Sequence, residues 1–430
     1  MRDALSALTT RGRAFVAAGL TALACAMVLG QDDLLRVGTL LALLPVVAAF
    51  FVSRSRYRLG LVRSVSPTQV TAGKECRVQL DLTNDGRLPT GLLLLEDQLP
   101  YVLGTRPRFV VDRMAPGRRR AVSYLVRSEV RGRFVIGPLT VRLNDPFGLV
   151  ELDRTFSSTA PLVVVPRVVP LPPIPLSGAW TGSGDNRPRA FATGSAEDVT
   201  VREYRRGDDL RRVHWRSSAR VGELMVRREE QPWQSRATLF LDNRQSAHRG
   251  RGAASSFEHA VAVAASVAVH LVQRGFVVRL VTASGDEHGG SWHDRGGAAG
   301  ETAPLLESLA VVGTATRREL DTGWLQDPGH SGLLVAVVGA VEEHDKAGFA
   351  RMRNTAATAM AVALDVDAWA GTSRSGTADE ATSARWLRAR GWQSVTAGPV
   401  DSLPGVWQQL GLTSGAAGRA ARDAAVRGAP

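Results

Sequence analysis

The stretch ATLFLD (Ala237–Asp242) is an apolar run that ends in a carboxylate. The helical pattern SFEHAVAVAASVAVHLVQRG follows at residues 256–275, and the apolar run FVVRLVTAS comes directly after it. GLLVAVVG, TAMAVALD and WQSVTAG continue the alternation further along. Runs of Val, Leu and Ala that alternate with helices are typical of parallel strands covered on both faces. We therefore predict an α/β domain of Rossmann-like architecture over residues 236–412.

Residues 57–165, upstream of this domain, have a different pattern. Short runs of alternating apolar and polar residues are separated by turn sequences such as Asn84-Asp85-Gly86 and Ala115-Pro116-Gly117. About seven strands at this spacing, without a helical period, predict an antiparallel β-sandwich of immunoglobulin-like kind. Asp145 belongs to a DPFG turn, so we interpret it as a turn residue and not as a catalytic one.

The N-terminal residues 1–56 contain two uncharged apolar runs, at 14–31 and 37–53, separated by DDLLR. Each run is near the lower limit of about 17 residues for a membrane-spanning helix. Together they predict a transmembrane hairpin whose turn holds DDLLR and which contacts the lipid bilayer through residues 14–53. The alternative is a secretory signal peptide, against which the second apolar run argues.

Arginines flank both apolar runs. Arg11 and Arg13 precede the first, and three more arginines follow the second, at positions 54, 56 and 58. Because positive charge collects on the cytoplasmic side, we expect a two-pass protein of the cell membrane with both termini in the cytoplasm. The small, basic tail at 413–430 is predicted to be disordered.

The net charge of +12 does not indicate a nucleic-acid binder. Lys74 and Lys346 are the only lysines, and the arginines are spread along the chain among acidic residues. A nucleic-acid binder would concentrate its basic residues on one face, so we predict no nucleic-acid partner. Cys25 and Cys76 are too few for a disulfide framework, which fits a reducing compartment.

A Pro-rich linker and a charged segment occupy residues 166–235. The segment VREYRRGDDLRRVHWRSSARVGELMVRREE (201–230) holds nine arginines and six carboxylates, and its pattern predicts a strand, a short helix ended by Gly222, and a second strand. We call this segment the signature. Its main residues are Arg202, Glu203, Tyr204, Gly207, Asp208, Arg211, His214, Trp215, Ser218, Ala219, Arg220 and Gly222.

Two interpretations of the signature stay open. In the structural one, its charges pair with one another, and Tyr204 and Trp215 pack the joint between the sandwich and the α/β domain. In the functional one, some of its arginines, together with His214 and Trp215, form a protein-docking surface, since Trp, Tyr and Arg dominate interface hot spots. Mixed charges favour the structural interpretation for most of these residues.

The signature resembles that of the bacterial family called domain of unknown function 58, and RGRFVIGPLTVRLNDPFGL (131–149) resembles a region that those proteins carry upstream. The resemblance implies a membrane-anchored protein whose α/β domain is von Willebrand factor A-like. It also implies a partner, because such proteins tend to be encoded beside AAA+ ATPases of the MoxR type.

The same resemblance implies a divalent ion held by Asp-x-Ser-x-Ser after the first strand. Here the residues are Asp242-Asn243-Arg244-Gln245-Ser246, so Asp242 and Ser246 match while Arg244 replaces the middle serine. A guanidinium there places positive charge beside the ion and removes an oxygen ligand. The family's later acidic position is Gly339-Ala340 here, with no carboxylate before Glu342. We therefore predict no cofactor, with Mg²⁺ as the alternative.

No nucleophile elbow, Walker loop or dinucleotide fingerprint is present in the sequence. The loop with His288 and His293 matches no metal-ligand spacing. We predict a cytoplasmic protein-binding adaptor that is not an enzyme. The alternatives are a membrane-associated hydrolase that uses Asp242, Ser246 or His214, and an outward-facing adhesion protein.

Overall fold

The computed structural model describes residues 8–54, 59–87, 89–144, 147–176, 201–204, 213, 215–227, 235–285, 302–326, 332–371 and 381–413. The predicted tail lies outside them except for Thr413, and so does the His288 and His293 loop. The chain divides into two compact units. The first holds residues 1–168 and 306–312, and the second holds residues 169–305 and 313–430.

The first unit begins with two apolar helices, α1 (Thr10–Leu29) and α2 (Asp32–Arg54). Both are long and apolar enough to cross a membrane, as the sequence predicts. They pack closely through small residues, because a Cβ at Gly19 would lie 2.6 Å from the backbone nitrogen of Ala42. Gly and Ala at such contacts let two helix backbones approach each other.

The turn of this hairpin is shorter than predicted. Gly30 ends α1 in the left-handed conformation, at φ 62°, and α2 already begins at Asp32. The DDLLR sequence is therefore the first turn of α2 and not the connecting loop, and this prediction was wrong. The physical reason is that Asp32 and Asp33 are favoured at the positive end of a helix dipole.

Ten strands follow in the described part of the first unit: β1 (Leu59–Ser66), β2 (Gln69–Thr71), β3 (Glu75–Asn84), β4 (Leu93–Asp97), β5 (Arg108–Val111), β6 (Arg119–Arg127), β7 (Gly132–Ile136), β8 (Leu139–Asn144), β9 (Glu151–Phe156) and β10 (Ala160–Val165). They form sheets of order β1-β3-β6, β2-β10-β7 and β5-β4-β8-β9. All pairings are antiparallel except that of β10 with β2. Leucines and valines that alternate along the strands form two cores between these sheets.

The second unit contains a parallel sheet of order β14-β13-β15-β16-β17. Its strands are β13 (Ser235–Leu241), β14 (Phe276–Thr282), β15 (Leu333–Val338), β16 (Thr358–Leu364) and β17 (Gln393–Ala397). The central strands β15 and β16 are buried along their whole length, as expected for strands covered on both faces. This bears out the predicted α/β region with a parallel sheet.

Helices alternate with these strands along the chain. They are α4 (Ser256–Gln273), α5 (Ala303–Val311), α6 (Lys346–Thr355), α7 (Val366–Trp369) and α8 (Thr382–Ala389), and residues 403–413 are also helical. α4 is apolar enough to span a membrane, but 72% of its apolar window is buried inside the protein. It is therefore a core helix of the α/β unit.

The described part of the signature is a small hairpin with a helix. β11 (Val201–Glu203) pairs antiparallel with β12 (Met225–Arg227), and α3 (Trp215–Val221) lies between them in the chain. Gly222 ends α3 at φ 84°, and its N–H donates to the Ser218 carbonyl at 2.9 Å. The predicted order of strand, helix and strand is confirmed for these residues.

Candidate functional site at the carboxyl edge of the parallel sheet

The candidate site follows from the strand order of the second unit. After β13 the chain forms β14 on one side of it, and then β15 on the other side. The order reverses at β13, and the crevice outside the carboxyl ends of strands at such a reversal is where ligands bind in open α/β sheets. Asp242 directly follows β13, and Glu342 to Asp345 follow β15.

Arg244 occupies the centre of this edge and is buried, with 1% of its side chain exposed. Its Nε donates to Asp242 Oδ1 at 2.9 Å, and its Nη2 donates to Asp242 Oδ2 at 2.8 Å. Its Nη1 donates to Asp345 Oδ1 and, at 3.0 Å, to the Arg318 carbonyl. The guanidinium thus bridges two fully buried carboxylates. We call Asp242, Arg244 and Asp345 the charged triad.

The electrostatics of the triad keep the arginine charged. Burial by itself lowers the pKa of the Arg244 guanidinium, but hydrogen bonds and charge attraction from Asp242 and Asp345 outweigh burial, so the pKa is raised. Breaking such a pair is costly because a single charge would remain without compensation in a region of low dielectric constant. The triad is therefore a strong constraint on the loops after β13 and β15.

Two polar residues fix the loop that carries Arg244. The His248 ring makes contacts of 2.6 Å from Nε2 to the Asp242 carbonyl oxygen and of 3.1 Å from Nδ1 to Ser256 Oγ. Burial lowers the pKa of His248, so the ring is neutral in this position. Asn243 donates to the Gly313 carbonyl at 3.1 Å and accepts from the Ala283 N–H at 3.2 Å. These bonds hold Asp242 and Arg244 in place.

A polar groove lies over the triad, with a volume of about 620 Å³. His344 stands in it, with Nε2 at 3.3 Å from both Asp345 Oδ1 and the Arg318 carbonyl oxygen. Its Nδ1 lies 3.6 Å from Glu342 Oε2. The residues that line the groove are Ser246, Arg318, Glu319, Leu320, Glu342, His344, Asp345, Gly348 and Arg351.

The residues at this edge do not fit a divalent ion. Both oxygens of Asp242 accept from Arg244, and the positive guanidinium repels a cation. In the described ranges, no group of three or more His, Cys, Asp or Glu side chains is placed to hold a metal. Ser246 lines the groove, but Asp242 is not open to it. Asp242 therefore offers no free oxygen ligand to a divalent ion in this arrangement.

The structure describes eight of the twelve signature residues, and Gly207, Asp208, Arg211 and His214 lie outside the described ranges. Trp215 is 70% exposed. Ser218 instead has a clear structural contact, because its Oγ accepts from the Met225 N–H at 2.8 Å. That bond ties α3 to β12.

Sequence reasoning missed Asp345, which lies 101 positions from Arg244 in the chain. It noted Glu342 as the first carboxylate after the central strand, whereas the carboxylate that reaches Arg244 is three residues further along. Asp345 is placed by local geometry, since its Oδ2 accepts from the Glu342 N–H at 2.9 Å. An acidic cluster directly after a buried strand is the only signal that the sequence offers for it.

Residues 200–293 match the family described as Protein of unknown function DUF58. The match begins at the signature and continues through β13, Arg244, α4 and β14, so it supports the DUF58 resemblance for that part of the chain. The von Willebrand factor A-like assignment stays a prediction.

Similarity to solved structures is weak. The CARDB domain of a Pyrococcus furiosus protein is 17% identical over 26% of this chain and 90% of that one, with a TM-score of 0.20. The putative ApaA protein of Bordetella pertussis is 13% identical over 25% of this chain and 94% of that one, with a TM-score of 0.21. No curated protein matches the chain. Neither structural likeness is close enough to support an inference.

Proposed function

We propose that the protein is a membrane-anchored adaptor that binds a protein partner at the carboxyl edge of its parallel sheet without a metal ion. The observation that supports this most is the charged triad. Arg244 supplies the positive charge between Asp242 and Asp345, so the loops are held in place by the chain itself. The edge is then preorganised for binding whatever the supply of divalent ions.

The groove over the triad favours a polypeptide as the partner. Small-molecule sites are mostly apolar with a few polar groups, whereas Leu320 supplies the only aliphatic side chain among the described residues that line this groove. Arg318, Arg351, Glu319 and Glu342 offer charges of both signs. Such a surface suits a segment whose own side chains alternate in charge, and charge complementarity then selects the partner.

Chemistry at this edge is not part of the proposal. A hydrolase that used Asp242 as a base or nucleophile would need its carboxylate free, and both oxygens accept from a buried arginine. Catalytic groups are expected to converge in a cleft with access to substrate. We therefore propose binding rather than catalysis.

Two apolar helices support the anchoring part of the proposal. The arginines that flank the two apolar runs favour a topology with both termini in the cytoplasm, by the positive-inside rule. A membrane-tethered binding edge would recruit its partner to the bilayer surface. A MoxR-type AAA+ ATPase is the partner that the family resemblance implies, and we propose it on that ground alone.

Affinity purification tests this proposal. The tagged full-length protein would be recovered from solubilised membranes with and without ATP, beside a groove variant, His344→Ala with Arg351→Ala. The matched control is Tyr101→Ala, which alters a residue of the first unit that is 92% exposed. We expect the wild type and the control to recover the same ATPase, and the groove variant to lose it.

A signature variant, Trp215→Ala with Arg220→Ala, separates the two candidate surfaces. If it loses the partner while the groove variant retains it, binding belongs to the signature, and the groove proposal is wrong. A reporter fused after Pro430 tests the topology. Activity typical of an outward location would exclude a cytoplasmic adaptor and favour the adhesion protein.

A further inference from the structure

The membrane hairpin is joined to the β-rich part of the first unit through the loop at 147–150. The Thr9 hydroxyl donates to the Gly148 carbonyl at 2.7 Å, and the Thr9 N–H donates to the Leu149 carbonyl at 3.0 Å. Leu8 and Val150 form an antiparallel bridge. These backbone contacts fix the position of the loop beside the start of α1.

Apolar packing strengthens this joint. Leu149 and Val150 are 2% and 1% exposed, and they form a cluster with Leu8 and Ala49, against which Leu44 and Ala48 also pack. The α2 residues of this cluster belong to the apolar run that we expect to cross the bilayer. The 147–150 loop therefore packs directly on the side of a membrane helix.

The register of the two hairpin helices gives the level of the 147–150 loop, meaning its position along the helix axes. Gly19 of α1 lies against Ala42 of α2. The number of residues from Gly12 to Gly19 equals the number from Ala42 to Ala49. Because antiparallel helices rise equally per residue, Gly12 and Ala49 lie at one level. A Cβ at Gly12 would lie 2.2 Å from the Leu149 carbonyl oxygen, so the loop lies there too.

This level is the boundary of the apolar span. Arg11 and Arg13 flank Gly12 and are exposed, and the uncharged run of α1 begins directly after them. The Arg11 guanidinium lies 4.0 Å from the position that a Cβ would take at Gly148. Basic residues at the end of a membrane helix sit among the headgroups. The loop is thus placed at the headgroup level.

Phe147 presents a large apolar surface at this level, with 64% of the residue exposed. On α2, the residues next to Ala49 in the sequence include further exposed apolar side chains, Phe50 at 58% and Val46 at 53%. Aromatic and apolar side chains on interfacial elements bury themselves at the boundary between headgroups and acyl chains.

We propose that Phe147 inserts into the membrane interface and, with Arg11, forms a third contact of the chain with the bilayer beside the two helices. This inference rests on the anchoring part of the proposed function. It gives the β-rich unit a fixed orientation toward the bilayer, because the joint through Thr9 and Leu149 prevents the loop from turning away. The ligand of this surface is the phospholipid interface itself.

Fluorescence quenching of single cysteines in vesicles tests the inference. The full chain with Cys25→Ala would carry Phe147→Cys, labelled with an environment-sensitive dye and reconstituted into vesicles of phosphatidylcholine and phosphatidylglycerol. Cys76 is 1% exposed and can stay. Quenching by lipids with a nitroxide near the headgroup reports insertion, and quenching by iodide reports exposure to water.

Two reference positions make the result decisive. Val46→Cys reports the membrane span. Tyr101→Cys reports a position shortly after Asp97, which ends β4 and pairs with Leu139 at the start of β8. The 147–150 loop follows the opposite end of β8. Tyr101 therefore lies at the far end of that sheet and reports water.

We expect position 147 to be quenched strongly by the nitroxide lipids and protected from iodide severalfold relative to position 101. If position 147 behaves like position 101 while position 46 reports lipid, the proposed insertion of the loop is wrong, and the proposed membrane anchor is unaffected. If position 46 itself reports water, the anchoring proposal fails, and this inference fails with it.

Discussion

Removal of the Arg244 charge is the most direct test of the triad. Arg244→Met keeps much of the side-chain length but leaves two carboxylates, each with 0% of its side chain exposed, facing each other without compensation. Removing one partner of a buried ion pair typically costs about 3–5 kcal/mol. Since a domain is stable by only about 5–15 kcal/mol, we expect the second unit to lose a large fraction of its stability.

Urea unfolding of the full chain in detergent measures this loss. Three tryptophans of the second unit, Trp324, Trp392 and Trp407, are between 0% and 7% exposed, so their emission reports its core. The matched control combines Arg244→Met with Asp242→Asn and Asp345→Asn. Replacing a whole buried ion pair by neutral groups is often close to neutral for stability, so most of the lost stability should return.

Two outcomes would contradict this expectation. The reasoning is refuted if Arg244→Met unfolds at the same urea concentration as the wild type. It is also refuted if the triple variant is as unstable as the single one.

Three further predictions concern the ion, the histidines and the hairpin. Arg244→Ser leaves oxygen ligands of the kind that Mg²⁺ prefers, so Mg²⁺ should raise the unfolding temperature of this variant and not of the wild type; equal effects on both would contradict this. Burial lowers the pKa of three histidines of the second unit, so each takes up a proton near about pH 6.5 only after unfolding. These histidines are His248, His259 and His270. The free energy of unfolding therefore has its full value above that pH and decreases as the pH is lowered further. A urea midpoint that is unchanged down to about pH 5.5 would contradict this expectation. Gly19→Val should separate the two membrane helices, since even a Cβ at Gly19 would lie 2.6 Å from the Ala42 nitrogen, and should lower the thermal midpoint in detergent by circular dichroism, whereas Ala18→Val on the exposed face should leave it unchanged.

The elements of this protein could be predicted from local sequence patterns. Alternating and continuous apolar runs located most of the described strands of both units but missed β1 and β2. Gly222 ended the short helix of the signature as expected. These features depend on residues close together in the chain, where a periodicity of two or of about 3.6 residues directly fixes which face is apolar. The misplaced hairpin turn was also a local question, decided by Gly30 and by the helix preference of Asp32.

The sequence by itself determined the two apolar helices, the strand-rich region and the α/β alternation. It also placed Arg244 where an ion ligand would stand in the resembled family. Only the tertiary structure decided that Asp345 completes the triad, and that Thr9 and Leu149 join the hairpin to the β-rich part of the first unit. Both pairings join residues more than about a hundred positions apart. No local period encodes such contacts, because they exist only once the strand order and the helix register bring the two loops together.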